Sequence, residues 1–128
     1  MQHFHYFGNM EKSKALVALA ALAQESRLDV FRLLVQVGKA GLPAGEIGAQ
    51  LGLPSATLSF HLNQLKQAGL VSFQRNGRSL IYAAEYSAMN SLLAYLTENC
   101  CMGARAAWDV GICDPAAATI ISKRVSRP

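Results

Sequence analysis

Residues 42–82 read LPAGEIGAQLGLPSATLSFHLNQLKQAGLVSFQRNGRSLIY, and this stretch decides the fold. Its first segment, Ala44 to Leu51, sets Ile47 and Leu51 four apart on one face, the spacing of a short helix. Gly52 is a stop signal, and Leu53-Pro54 carries the chain on in extended form. Ser55 is a candidate N-cap for a second helix, because its hydroxyl can satisfy an orphan N–H. In that helix Leu58, Leu62 and Leu65 fall at i, i+4 and i+7 and form an inward stripe. The other face carries Thr57, Ser59, Phe60, Asn63 and Gln67, polar and nearly uncharged, with an aromatic where a solvated surface favours Glu or Lys. Gly69 ends the helix. Leu70 to Gln74 and Leu80 to Ala84 read as strands joined across Asn76-Gly77, a strong two-residue hairpin signal flanked by Arg75 and Arg78.

Helix, turn, helix and hairpin in this order make a mainly α unit with a β-hairpin wing, a winged helix-turn-helix. The second helix can lie in a DNA major groove and offer short polar side chains to base edges. The hairpin then extends two arginines toward backbone phosphate or the adjacent minor groove. Ser55, Thr57, Ser59 and His61 are the candidate contacts to base edges or nearby phosphate, and Arg75 and Arg78 the candidate phosphate contacts. The plainer reading is a small helical domain with a surface hairpin; it explains the helix spacing but not the arginines beside the turn.

Ser59-Phe60-His61-Leu62-Asn63-Gln64-Leu65, Ala68-Gly69-Leu70-Val71, Arg75-Asn76-Gly77-Arg78 and Tyr82 together resemble the signature of the ArsR/SmtB family. That resemblance implies a dimeric winged-helix repressor that releases DNA on binding metal or metalloid. The family commonly has Ser-His-His-Leu in the recognition helix. Here Phe60 replaces the first of those histidines, while Ser59 and His61 match.

At 128 residues the chain is about one domain with a modest core, and 52% hydrophobic content excludes wholesale disorder. The formal net charge of +4 fits an anionic partner, with the excess concentrated in the wing and at Lys123, Arg124 and Arg127. The opening MQHFHYFGN lacks the charged-then-apolar order of a secretory signal, and no apolar run reaches transmembrane length. The expectation is a cytoplasmic protein with no membrane partner, whose thiols stay reduced.

His3 and His5 form a His-x-His pair whose ordinary reading is a mobile N-terminus rather than a metal site. Glu11 to Ala23 reads as a helix apolar all round: Leu16, Leu19 and Leu22 are joined by Ala15, Val17, Ala18, Ala20 and Ala21. Such a helix is buried on more than one side, and a domain this small cannot bury it alone, which points to a subunit interface. Gln24 to Gly38 is a second helix, with Ser26 as candidate N-cap and Leu28, Phe31, Leu34 and Val35 as core positions. Tyr86 to Cys101 reads as the last helix, striped by Met89, Leu93, Leu96 and Cys100, with Gly103 as its stop. In the resembled family the two terminal helices form the dimer interface. The expected organisation is a DNA-binding and dimerising unit over residues 10–102 and a tail over 103–128. The expected partners are a second copy of the chain and double-stranded operator DNA with an inverted repeat.

Cys100-Cys101 is the most informative pair outside the DNA-facing stretch. Two soft thiolates at one place suit As(III), Sb(III), Cu(I), Cd(II) or Zn(II). Adjacent residues on an ideal helix point about 100° apart, so both reach one ion only where the helix frays or ends. The alternative is one buried cysteine packing as a small hydrophobe beside an exposed neighbour. Asn99-Cys100-Cys101-Met102-Gly103 resembles the version of the family motif found in some arsenic-responsive members, whose third cysteine stands about six residues beyond the pair. Ala107 stands there in this chain, and Cys113 could substitute only if the tail folds back. Three thiolates suit As(III); two suit a monomethylated trivalent arsenical.

The resemblance therefore implies an arsenic-responsive repressor with no required cofactor, whose effector is As(III), methylated As(III) or Sb(III), held by Cys100 and Cys101, with Cys113 as the third thiolate where the tail folds back. A second reading keeps DNA binding but makes the effector Cd(II), Pb(II) or Sb(III), or makes the cysteines a redox switch. A third, a thiol enzyme using Cys100 as nucleophile, lacks a nearby histidine base and a Gly-rich phosphate loop, so the protein is not expected to be an enzyme.

Overall fold

The structure, a computed structural model, describes residues 10–100. The elements run α1 (Lys12–Leu22), α2 (Glu25–Val37), β1 (Leu42–Pro43), α3 (Ala44–Leu51), α4 (Ser55–Gln67), β2 (Val71–Asn76), β3 (Ser79–Ala84) and α5 (Tyr86–Leu96). This is the mainly α winged helix-turn-helix expected from the sequence. The boundaries of α3 match the apolar spacing, and α4 spans the leucine stripe. The two-residue β1 escapes periodicity altogether; it pairs Leu42 with Tyr82 and Pro43 with Ile81, giving a three-stranded antiparallel sheet in the order β1-β3-β2. No helix among the described residues is long and apolar enough to cross a membrane.

The core forms where α2, α3, α4 and the roots of the wing meet. Val30 and Leu34 of α2, Ile47 of α3, Leu58, Leu62 and Leu65 of α4, and Leu70 and Val71 at the wing are all buried. Burying a side chain of this size stabilises by about 1.5–3 kcal/mol, so this cluster dominates the fold's favourable energy. Within α2, Phe31 and Leu34 are buried and Val35 partly buried as expected, but Val30 is buried too and Leu28 is 43% exposed. Apolar residues on both edges of the stripe leave its phase open until a partner helix selects one.

The buried face of α1 is made of alanines. Ala15, Ala18 and Ala21 pack inward, while Leu16 and Val17 are 59% and 53% exposed, with Leu19 exposed beside them. Small residues let α1 approach the core closely and turn its larger side chains outward. The helix is thus apolar on the face that the core does not cover, as its all-round composition suggested.

Two helix starts differ from expectation. Gln24, not Ser26, caps α2: its Oε1 accepts the Arg27 N–H at 2.9 Å. The link from α1 is so short that Ser26 is already helical. Pro54 occupies the N-cap position of α4 with φ −63° and ψ 151°, so Ser55 is the first helical residue and its side chain makes no capping bond. At the other end, α5 stops at Leu96 rather than Cys101, and Leu92 is its buried residue while Leu96 is 54% exposed. The Thr97 hydroxyl donates to the Leu93 carbonyl at 2.8 Å, and Asn99 takes a positive φ of 58°, which the helix cannot continue through. The start of α5 is tied to the end of α2 by the Tyr86 hydroxyl, which donates to the Val35 carbonyl at 2.8 Å. Gly103, the tail from 103 onward, and His3 and His5 lie outside the described residues.

Gly41 tests how tightly the wing root is packed. It adopts φ +73°, and a Cβ there would run into the Tyr82 carbonyl of β3. Gly38, at φ +102°, has open space around the same position. Gly41→Ala should lose about 2–4 kcal/mol in urea denaturation, combining left-handed strain with overpacking. Gly38→Ala should lose only the strain component, about 1–2 kcal/mol.

Candidate nucleic-acid interface

The two helices of the motif are joined by three residues. Gly52 closes α3 in the left-handed conformation at φ 68°, and Leu53-Pro54 then runs extended into α4. The Leu53 N–H donates to the Gly48 carbonyl at 3.0 Å, folding the turn back on α3. Gly48 itself leaves little room: a Cβ there would stand 3.1 Å from the Leu53 carbonyl oxygen. This tight turn and the leucine stripe fix which face of α4 is bare.

With about 100° between successive residues, the positions opposite Leu58, Leu62 and Leu65 are Ala56, Phe60, Asn63 and Gln67. All four are exposed, as are Ser55, Thr57 and Ser59 on the flanks and first turn. The face is uncharged and mixes amide, hydroxyl and aromatic groups. Side chains of these kinds can read base edges: amides pair with adenine, hydroxyls with any base, and apolar groups meet the thymine methyl.

His61 does not share that face. It is 7% exposed, packed between α4 and α2, and its Nδ1 lies 3.3 Å from Arg27 Nη1. A guanidinium can only donate, so Nδ1 accepts and the ring proton sits on Nε2. Burial first, and then the Arg27 charge, lower its pKa below the usual imidazole value. Arg27 also donates from Nε to the Ala21 carbonyl at 2.7 Å. One guanidinium therefore joins the end of α1, the start of α2 and the middle of α4. Its part was not foreseen in the sequence, where Arg27 reads as an ordinary charge on a helical surface. The ring of Phe60 meets the His61 ring edge-on, with centroids 5.5 Å apart and planes at 60°.

The wing is shifted by one residue from the expected hairpin. Asn76 pairs with Ser79, so the loop is Gly77-Arg78 rather than Asn76-Gly77. Gly77 has φ +67° and Arg78 does not share the positive φ, the type II′ pattern with glycine at the first central position. Arg78 is consequently at the tip, and Arg75 lies one pair back, opposite Leu80; both are exposed. Phe73 pairs with Tyr82 across the strands, their rings 5.6 Å apart. Lys66 of α4 places its Nζ 4.6 Å from the Phe73 ring centroid, linking the end of α4 to the wing by a cation–π contact.

Sequence comparison agrees with this geometry. A family model described as a helix-turn-helix domain matches residues 22–72. The chain is 32% identical over 89 residues to the transcriptional activator HlyU of Vibrio cholerae, covering 68% of this chain and 80% of that one. Among solved structures it resembles an ArsR-like transcriptional regulator from Rhodococcus sp. RHA1, at 27% identity and a TM-score of 0.59, over 89% of this chain and 93% of that one. The chain belongs to the ArsR-like, HlyU-type family of winged-helix transcriptional regulators. A further family structure is a homodimeric winged helix-turn-helix DNA-binding domain of a possible ArsR-family regulator from Mycobacterium bovis. It is 27% identical, has a TM-score of 0.55, and covers 68% of this chain and 80% of that one.

As a regulator of this family, the protein carries a DNA-binding helix-turn-helix in α3 and α4. Its cysteines lie at the far end of the chain. Cys100 is half-buried in a tight turn after α5, its N–H donating to the Thr97 carbonyl at 3.0 Å. Cys101 and Cys113 lie outside the described residues. No group of three or more His, Cys, Asp or Glu residues able to hold a metal ion occurs among the described residues.

The wing makes a measurable demand. Arg75→Ala and Arg78→Ala should each reduce the slope of log affinity against log salt by about one charge, and weaken all DNA sequences alike. A slope unchanged in both variants would remove the wing from the interface.

Proposed function

We propose that the protein is a homodimeric repressor that occupies an inverted-repeat operator and releases it when trivalent arsenic binds thiolates beyond α5. The observation that supports the sensor is the early end of α5. With the helix finished at Leu96, Cys100 stands beyond α5, half-buried in a tight turn close to the helix end rather than within the helical stripe. Two thiolates there suit a monomethylated trivalent arsenical, and Cys113 would complete a three-thiol site for inorganic arsenite. The dimer reading is supported by the outward Leu16, Val17 and Leu19 of α1, by exposed Leu96 of α5, and by the homodimeric relative.

Release in this scheme is indirect. The thiols follow α5, whereas the base-reading face is on α4. Arsenic binding would bias how the two subunits sit on each other, and hence the relation between their α4 helices. The Tyr86 bond to α2 and the Arg27 bridge from α1 to α4 are the polar links through which such a shift would reach the DNA face. A coupling of typical size lowers operator affinity by about 5- to 150-fold, and operator must weaken arsenic binding by the same factor.

Thiol oxidation is the second reading, favoured by the two adjacent thiols of Cys100 and Cys101, which suit a redox switch as well as a soft ion. Fluorescence anisotropy of labelled operator with arsenite, methylarsenite, Sb(III), Cd(II), Pb(II) and peroxide separates the two. Cys100→Ser and Cys101→Ser should keep DNA binding and lose release, because a hydroxyl is a poor ligand for a soft ion. Cys113→Ser should abolish the arsenite response in a three-thiol site and spare the methylarsenite response in a two-thiol site. Release by peroxide alone, reversed by a reductant, would establish the redox reading instead. Release by arsenite at unchanged concentration in Cys100→Ser would overturn the sensor.

A further inference from the structure

We infer that Phe60 is a specificity-determining residue that packs its ring against the C5-methyl group of a thymine in the operator's major groove. This rests on the reading of α4 as the base-contacting helix, and goes further by naming the base and the atom read.

Position is the first ground. Phe60 lies in the middle of Ser55–Gln67, directly opposite the buried Leu58, Leu62 and Leu65, and is 57% exposed. It therefore stands on the part of the helix that would go deepest into a groove, not on a flank. The second ground is chemistry. Phenyl has no donor or acceptor, so it reads no hydrogen-bonding edge, and the apolar feature that a major groove presents to it is the thymine methyl. Its neighbours on the outward stripe are Ala56, Asn63 and Gln67. The amides are suited to adenine, whose N6 and N7 they can meet in bidentate fashion. A stripe of this composition suits A·T pairs read from both strands.

The third ground is rigidity. An exposed ring on a helix normally samples several rotamers, and ordering it on binding costs affinity. Here the ring rests edge-on against His61, and His61 is itself buried and held by Arg27. The Arg27 and His61 side chains act as a backstop behind Phe60. Neither reaches the DNA face, so they are positioning residues.

The test changes one methyl group on the DNA. Duplexes bound by the wild-type full chain are selected from a randomised pool, and each thymine of the selected half-site is then replaced by deoxyuridine, which pairs identically but lacks the methyl. Loss of one buried methyl should weaken binding by about fourfold, and replacement in both half-sites by about fifteenfold. In Phe60→Ala the same replacement should cost nothing, because the methyl no longer has a partner. Since Phe60 is exposed, Phe60→Ala should stay folded, and Phe60→Leu should keep part of the methyl dependence. Three results would overturn the inference while leaving α4 as the reading helix: a selected half-site without thymine, full wild-type affinity for every deoxyuridine duplex, or a penalty that persists undiminished in Phe60→Ala. Selection that returns no sequence preference at all would overturn both.

Discussion

Everything in this molecule depends on α4 being held by one stripe of leucines. Leu58, Leu62 and Leu65 are buried against α2, α3 and the root of the wing. Because a helix buries only the face that carries its apolar side chains, the opposite face stays bare and its chemistry is free to serve recognition. The same core contains Leu70 and Val71, so the wing leaves the domain where α4 ends. Helix and hairpin are thus fixed relative to each other by a shared set of buried residues, with the Lys66–Phe73 contact as a surface brace.

The second constraint is the alanine face of α1. Ala15, Ala18 and Ala21 let that helix sit close to the core, and the cost is a row of large apolar side chains facing away from it. In the proposed dimer this row is covered by the second copy. Arg27 then acquires its place in the scheme. By holding Ala21 of α1 and His61 of α4 at once, it makes the orientation of the recognition helix depend on the helix at the proposed interface. Tyr86 does the same between α5 and α2. In the proposed scheme, ligand chemistry beyond α5 and base recognition on α4 are distant in the chain but joined by these short polar links.

Much of this was legible in the sequence. The leucine spacing gave α4, Gly52 gave the turn, and the alternating residues around Asn76-Gly77 gave a hairpin. What was missed has physical causes. Ser26 and Ser55 read as N-caps by residue type, but serine caps a helix only where the chain has not already become helical. The hairpin loop moved one residue on because either Asn76-Gly77 or Gly77-Arg78 satisfies a tight turn. The cross-strand pairing of Phe73 with Tyr82 goes with the second choice. The end of α5 is masked in the sequence because the apolar stripe continues past Leu96, while Thr97 and Asn99 end the helix in the structure. For the site, Ser55, Thr57 and Ser59 were found on exposed positions, but His61 was not separable from them by residue type. A histidine suits both a wet surface and a half-polar packing niche. Only its phase, next to Leu62 and one turn before Leu65, marks it as inward.

In the proposed dimer, two copies of α4 enter successive major grooves of one operator. Interference by 7-deazaadenine and 7-deazaguanine, which remove N7 from the major-groove edge of either purine, tests this arrangement on a selected duplex bound by the wild-type protein. The expected result is two clusters of interference related by the symmetry of the site, with centres one helical turn apart, roughly 34–36 Å. A single cluster, or binding indifferent to the loss of purine N7 across the whole site, would contradict it.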